Sequence, residues 1–201
     1  MSEARNLFLG EKVYLDGLAE TDIPLLSRWW TKPEVMRYFD ALPVKFRSHG
    51  DWTKWLKETD ANTYRFAIRS VEEQKLIGYA EIEGILWVHG IGWLSILIGE
   101  EENHGKGYGR ETMEKVITFA FQELNLHRLQ LTVFSYNQKP YRYMNGLDLK
   151  RKVLTGSSWR ETQSDSICSC MVFFAMNGRG DRTCDVIFAS AIVETVLFNY
   201  R

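Results

Sequence analysis

Gly105, Gly107 and Gly109 alternate along His104-Gly105-Lys106-Gly107-Tyr108-Gly109, just ahead of Arg110 and a long amphipathic run. Alternate glycines between a strand and a helix suit an anion. Backbone N–H groups at a helix N-terminus aim at the ligand, and the helix dipole favours negative charge. The absent side chains let phosphate come close. A plain glycine-rich turn would use the same residues. Spacing excludes two phosphate loops. In a P-loop the pattern is G-x-x-x-x-G-K-[ST], but Gly99 and Gly105 stand one residue too far apart, and Gly107 follows Lys106. The dinucleotide fingerprint is G-x-G-x-x-G, and this chain has G-x-G-x-G.

The elements that must hold this loop can be read outward from it. Residues 91–98 form a near-continuous apolar run, which predicts a strand buried on both faces. Residues 110–124 predict a helix with Met113, Val116, Ile117, Ala120 and Phe121 on one face. Asn125-Leu126-His127 breaks it, and Leu129, Leu131 and Val133 then alternate as a strand. Upstream, 12–15, 64–68 and 76–83 read as strands, the last two joined by a charged turn at 72–75. Thr21-Asp22 offers an N-cap to a helix bearing Ile23, Leu25, Leu26, Trp29 and Trp30. Thr31-Lys32-Pro33-Glu34 restarts a short helix, and Ser48 caps a third that carries Trp52 and Trp55. The order describes a mixed α/β domain.

Composition narrows the class. The chain has 201 residues, enough for about one domain with a core that needs no disulfide or metal. Lys plus Arg is 25 against 26 Asp plus Glu, so nothing global favours nucleic acid or an anionic membrane. Cys168, Cys170 and Cys184 all fall late in the chain, which makes a reducing compartment the default. Residues 1–5 show no targeting pattern, and 85–98 is too short to span a bilayer. The expectation is a soluble cytoplasmic protein.

The glycine loop resembles the pyrophosphate loop of the GNAT superfamily of N-acetyltransferases, Q/R-x-x-G-x-G/A, with His104 where the family has Gln or Arg. Leu94-Ser95-Ile96-Leu97-Ile98-Gly99 is similar to the preceding strand, and Glu123-Leu124-Asn125-Leu126-His127-Arg128 to the helix-to-strand link. Asn137 resembles the Asn that opens the next motif. The branch is that of the RimJ/RimL-type and spermidine-acetyltransferase-like enzymes, over about residues 8–139. The resemblance implies an α/β GNAT fold, a mixed, mostly antiparallel central sheet flanked by helices. It implies acetyl-CoA as co-substrate, with Ile96, Leu97 and Ile98 along the pantetheine and His104, Gly105, Lys106, Gly107, Tyr108, Gly109 and Arg110 at the pyrophosphate. Asn137 joins the cofactor set. An acceptor amine on a protein N-terminus, a polyamine or a small molecule attacks the thioester, and a Tyr of the following helix protonates the thiolate. Glu81 and Glu83 are the candidate bases, relaying a proton through water; a solvated strand face is the other reading. Trp29, Trp30, Trp52 and Trp55 stand in the helices that wall the acceptor site in such proteins, or are simply core. His104 faces phosphate or lies at the surface. Glu100-Glu101-Glu102 attracts a cationic amine or is a solvated loop. Trp93 stands where relatives often carry a charge, which weakens a base assignment.

After Lys139 the likeness stops. The family continues A-I-x-L-Y-E-x-x-G-F, whereas this chain has Pro140-Tyr141-Arg142-Tyr143-Met144-Asn145-Gly146-Leu147-Asp148-Leu149. Read one base earlier, the codons can give A-I-P-L-Y-E-W-x-G-F-x-x-x-G. Met144-Asn145 forces the Glu. In the same shifted frame Met171-Val172 forces Gly and Met176-Asn177 forces Glu, matching the family's closing strand G-L-L-R-x-E-W. Gln138-Lys139 can be encoded by a run of A where a base is easily lost. Residues 140–201 are therefore expected to be an out-of-frame tail replacing the family's C-terminal helix and strands, a divergent C-terminus being the alternative. Tyr143 stands one residue from the family Tyr, a rotation of about 100° on a helix. The tail is expected to be incomplete or disordered. Residues 171–176 are a chance strand, 187–198 a helix, and the spacing offers no hairpin register. Cys168-x-Cys170 has the shape of half a metal site, but no second pair exists, so no metal is expected. The rival to an active N-acetyltransferase is an inactive CoA-binding remnant. Oligomeric state is not legible.

Overall fold

The structure is a computed structural model, and it describes residues 7–39, 45–58, 60–134, 169–176 and 182–188. The chain divides into two compact units, Met1–Leu129 and Gln130–Arg201.

In the first unit, β1 (Val13–Asp16), β2 (Tyr64–Ser70), β3 (Leu76–Leu86) and β4 (Ile91–Ile98) pair antiparallel in chain order. Helices α1 (Ile23–Trp30), α2 (Pro33–Phe39) and α3 (His49–Lys57) lie between β1 and β2 in sequence, and α4 (Tyr108–Gln122) follows β4. Strand alternation sorts side chains onto two faces. Ala67, Tyr79 and Leu97 meet Ile23, Leu26, Trp29, Trp30, Met36 and Trp52 of α1–α3 in one buried cluster. The alternate positions Tyr64 and Phe66 face α4, where the Phe119 ring lies 5.5 and 5.3 Å from theirs. All five residues read as the apolar face of α4 are buried.

Three local readings need correction. β4 is buried at Gly92, Leu94 and Leu97 and only half-buried at its other positions, rather than being buried on both faces, because Trp93 and Ser95 on one side and Ile96 and Ile98 on the other are only partly covered. β3 runs on to Leu86; Gly84, at φ +57°, breaks the register after Glu83, and pairing resumes at Leu86. Asp22 gives α1 no side-chain cap. Its carboxylate instead accepts from the Ala19 amide at 2.9 Å and from Arg69 at 2.8 Å. Ser48 does cap α3, accepting from the Asp51 amide at 3.2 Å.

β5 (Arg128–Phe134) straddles the boundary, with Leu129 and Leu131 buried as its alternation predicts. In the second unit, β6 (Ser169–Met176) and β7 (Arg182–Phe188) form an antiparallel pair, in register from Cys170↔Phe188 to Met176↔Arg182. The strand expected at 171–176 is present. Of the helix expected over 187–198, Ile187 and Phe188 are instead the last residues of β7 and the rest lies outside the described residues; the two strands hold a register that the spacing alone does not offer. Thr183, Val186 and Ile187 are β-branched, which suits a strand. Asn137, Tyr143, Cys168 and residues 189–198 lie outside the described residues. The architecture is α/β, a mostly antiparallel sheet flanked by helices. Among the described residues no helix is long and apolar enough to cross a membrane, and no cluster of three metal-ligating side chains occurs.

Candidate active site

The loop begins where β4 ends. A Cβ at Gly99 would fall inside the Trp29 indole, so only glycine lets the strand end pass that ring. The neighbouring Glu100 carboxylate accepts from Trp29 Nε1 at 2.8 Å, from Lys32 Nζ at 3.2 Å and from Arg28. Burial works to raise its pKa, but these three donors outweigh it and hold Glu100 below the usual carboxylate range. Glu100 is thus a clamp between α1–α2 and the loop, while Glu101 and Glu102 are exposed. His104 Nε2 lies 2.9 Å from the Ile98 carbonyl oxygen and, as the donor, ties the loop back to the strand end. Gly105 and Gly107 sit at φ +78° and +90°, left-handed conformations that favour glycine. Gly107 is the N-cap of α4 and makes no side-chain cap bond. The first-turn amides of α4 therefore point ahead of the helix without a capping side chain. A Cβ at Gly105 would meet nothing within 4 Å. Lys12 Nζ donates to the Lys106 carbonyl at 3.0 Å, and Glu111 accepts from the Lys12 amide at 3.1 Å and from that of Glu11. The first turn of α4 is thereby fastened to the approach to β1. An open glycine cradle and uncapped first-turn amides fit a pyrophosphate.

A cavity of about 260 Å³ opens on the α1–α3 side of the sheet. Trp30, Phe39 and Trp55 wall it, Arg47, Arg65, Glu81 and Glu83 bring charge, and Thr63 and Ser95 complete the lining. The Tyr79 ring underlies the aromatic wall, 5.4 Å from Trp30 and 5.8 Å from Trp55. Its hydroxyl donates to Glu81 Oε2. Arg65 stacks 4.6 Å over Trp55 and donates from Nη1 to the carbonyls of Trp55 and Glu58 at 3.2 and 3.0 Å. Its Nε lies 3.9 Å from Glu81 Oε2. The Glu81 side chain is 14% exposed. Burial first, then the Glu83 charge, push its pKa up to about 7, against the hydrogen bond from Tyr79 and the charge of Arg65. Burial, then Glu81, raise that of Tyr79.

Cross-strand register brings these groups together: Arg65 opposes Glu81, which opposes Ser95, and Glu83 opposes Trp93. Glu81 therefore lines the cavity largely covered, whereas Glu83 touches the cavity but stays exposed, as a solvated strand face would have it. The tryptophans divide, with Trp29 and Trp52 in the core and Trp30 and Trp55 also lining the cavity. Ile96, Leu97 and Ile98 lie on β4 between cavity and loop, and Leu97 is buried under α1–α3. Sequence pattern alone does not single out Arg47, Arg65, Tyr79 or Ser95. The traceable signal was position: Arg65 and Glu81 stand equally far from the ends of the 70–76 turn.

Residues 12–149 match the acetyltransferase (GNAT) domain family. The chain belongs to that family, and the reaction class is acyl transfer. It is 26% identical over 148 residues to the uncharacterized N-acetyltransferase p20 of Bacillus licheniformis, covering 72% of this chain and 82% of that protein. It is 28% identical over 115 residues to a spermidine N(1)-acetyltransferase of Vibrio cholerae, covering 57% of this chain and 60% of that one. Among solved structures, the spermidine N-acetyltransferase of Vibrio cholerae in complex with CoA and spermine shares the fold, with a TM-score of 0.61 at 23% identity over 68% of this chain and 79% of that chain.

Proposed function

We propose that this chain moves an acetyl group from acetyl-CoA to a primary amine by direct attack on the thioester. The observation that carries the reading is the use made of β4. Ser95 lines a cavity holding a buried carboxylate, and three residues on, roughly 10 Å away, the strand delivers an open glycine loop. The loop amides hold the pyrophosphate, and Ile96–Ile98 lie where the pantetheine arm runs between the two. An amine in the cavity gives up a proton to Glu81, directly or through water, and its lone pair forms the C–N bond. The tetrahedral oxyanion is stabilised by a fixed backbone dipole of β4. Its collapse breaks the C–S bond, and the thiolate takes a proton. A base with a pKa near 7 is matched to this task at neutral pH.

A second reading, a CoA-binding remnant, rests on residues 140–149, which end the family match but lack the family's L-Y-E-x-x-G-F run and with it the Tyr. We propose with it that 140–201 are an out-of-frame tail on a core spanning 8–139. Titration calorimetry with acetyl-CoA, beside a thiol-release assay over a panel of amines, tests both. Binding with thiol release supports the enzyme, binding without release supports the remnant, and no binding overturns the loop assignment. Restoring one base before the codon for Pro140 should raise thiol release and solubility together; no change would sink the frame proposal.

A further inference from the structure

The cavity holds more charge than a simple amine requires. Glu81 and Glu83 suit an ammonium group, but Arg47 and Arg65 line the same space. A polyamine, positive at every nitrogen, would meet both guanidinium groups and be repelled. Arg65 is also incompletely used. Its Nη1 is taken by the Trp55 and Glu58 carbonyls, whereas its Nε is buried without a hydrogen-bond partner and its Nη2 has no acceptor among the described residues. Nε and Nη2 form the edge of a guanidinium that receives a carboxylate with two parallel bonds. Leaving a buried donor unmet costs about 1–3 kcal/mol, which an incoming oxygen would offset. Arg47 lies 5.0 Å over the Trp52 ring and makes no ion pair among the described residues.

The charges are also spaced for one kind of molecule. Glu81 Oε2 and Arg65 Nε stand 3.9 Å apart. In an α-amino acid the amino nitrogen and a carboxylate oxygen are roughly 3 Å apart by bond geometry. Such a molecule can lay its ammonium on Glu81 and its carboxylate on Arg65 at once. A cavity of about 260 Å³ lies at the small end of ligand sites, and Trp30, Phe39 and Trp55 offer an apolar wall to a side chain.

We propose, building on the N-acetyl transfer proposed above, that the acceptor is a small amine carrying a carboxylate beside its amino group, an apolar α-amino acid, selected by Arg65 with Arg47. The ammonium loses one proton by way of Glu81, its nitrogen forms the amide bond as the C–S bond breaks, and the second proton leaves with the thiol. The product is an N-acetyl amino acid and CoA.

The test is a tryptophan-fluorescence titration of the full chain without acetyl-CoA, using L-leucine, L-leucinamide and spermidine. Leucine should bind at least about tenfold more tightly than either of the others, one full charge-assisted pair being at stake. Arg65→Gln should abolish that preference. Arg47→Ala, at an exposed position, should reduce it several-fold with an unchanged melting curve, so the proposal survives a misfolded Arg65 variant. Equal or tighter binding of leucinamide or spermidine overturns it, as does no response to any of the three. Thiol release and acetyl-CoA titration, run in parallel, keep the two proposals separate. Turnover of leucinamide but not leucine would refute the amino-acid assignment and leave acetyl transfer standing. Leucine binding without acetyl-CoA binding would do the reverse.

Discussion

The glycine loop and the charged cavity are neighbours along β4, yet they are made of different material. The loop is backbone: two left-handed glycines, an uncapped helix start, and side chains such as His104 and Lys12 that hold carbonyls in place. The cavity is side chain: two carboxylates, two guanidinium groups and three aromatic rings drawn from α1, α2, α3, β2, β3 and the segment before α3. A backbone site tolerates changed side chains but not an added Cβ. A side-chain site tolerates little change at its charged groups, because each is tuned by the others.

The contrast is sharpest at Glu81. Glu81→Gln keeps an acceptor for the Tyr79 hydroxyl but removes the base. Thiol release should fall by about 10²–10⁴-fold, the range for a lost general base, with acetyl-CoA affinity unchanged by calorimetry. Gly107→Val attacks the other region. A β-branched residue at φ +90° is strained by about 1–3 kcal/mol, and its Cβ would lie 3.3 Å from Lys12 Nζ. Acetyl-CoA affinity should fall by about 100-fold in a variant that circular dichroism shows to be folded.

The pH dependence tests the cavity again. A base with a pKa of about 7 must be ionised to act, so kcat/KM should rise as pH climbs through 7 and level off above it. Stability runs the other way. The folded carboxyl holds its proton up to about 7, whereas the unfolded one releases it near 4.5. Its protonated state therefore favours the fold fully below 4.5, and that contribution is lost as pH rises through 7. Between pH 5 and 8 the melting midpoint of Glu81→Gln should drop several degrees less than that of the parent, by differential scanning fluorimetry. The smallest effect belongs to His104→Gln. A Gln amide can donate to the Ile98 carbonyl as the imidazole does, so acetyl-CoA affinity should stay within about twofold. A large loss would mean that the ring meets phosphate directly.

The same contrast decides what was legible in the sequence. Backbone demands are local, so three glycines ahead of an amphipathic run were enough to place the loop and α4. The cavity depends on pairing. Arg65 meets Glu81 because β2 and β3 close a hairpin in one register, and neither residue's neighbours announce that. Trp29 and Trp30 are adjacent and similar in type, yet one lies beside Gly99 and the other also lines the cavity; helix phase relative to the sheet decides, and it is a tertiary fact. Glu100 stands in an acidic run that looks solvated, but Arg28, Trp29 and Lys32 converge on it once α1 packs against the strand end. At the end of β7, Ile187 and Phe188 pair with Met171 and Cys170, a register that no local pattern at 187–198 announces.

Amide hydrogen exchange of the full chain with and without acetyl-CoA tests the glycine loop as the pyrophosphate site most directly. The first-turn amides of α4 lack intrahelical partners, so in the free chain they should exchange quickly, and a bound pyrophosphate should slow them. Acetyl-CoA should slow exchange across residues 105–110, and the effect should be absent in Gly107→Val. Unchanged exchange across 105–110, with protection appearing elsewhere in the chain, would contradict that assignment.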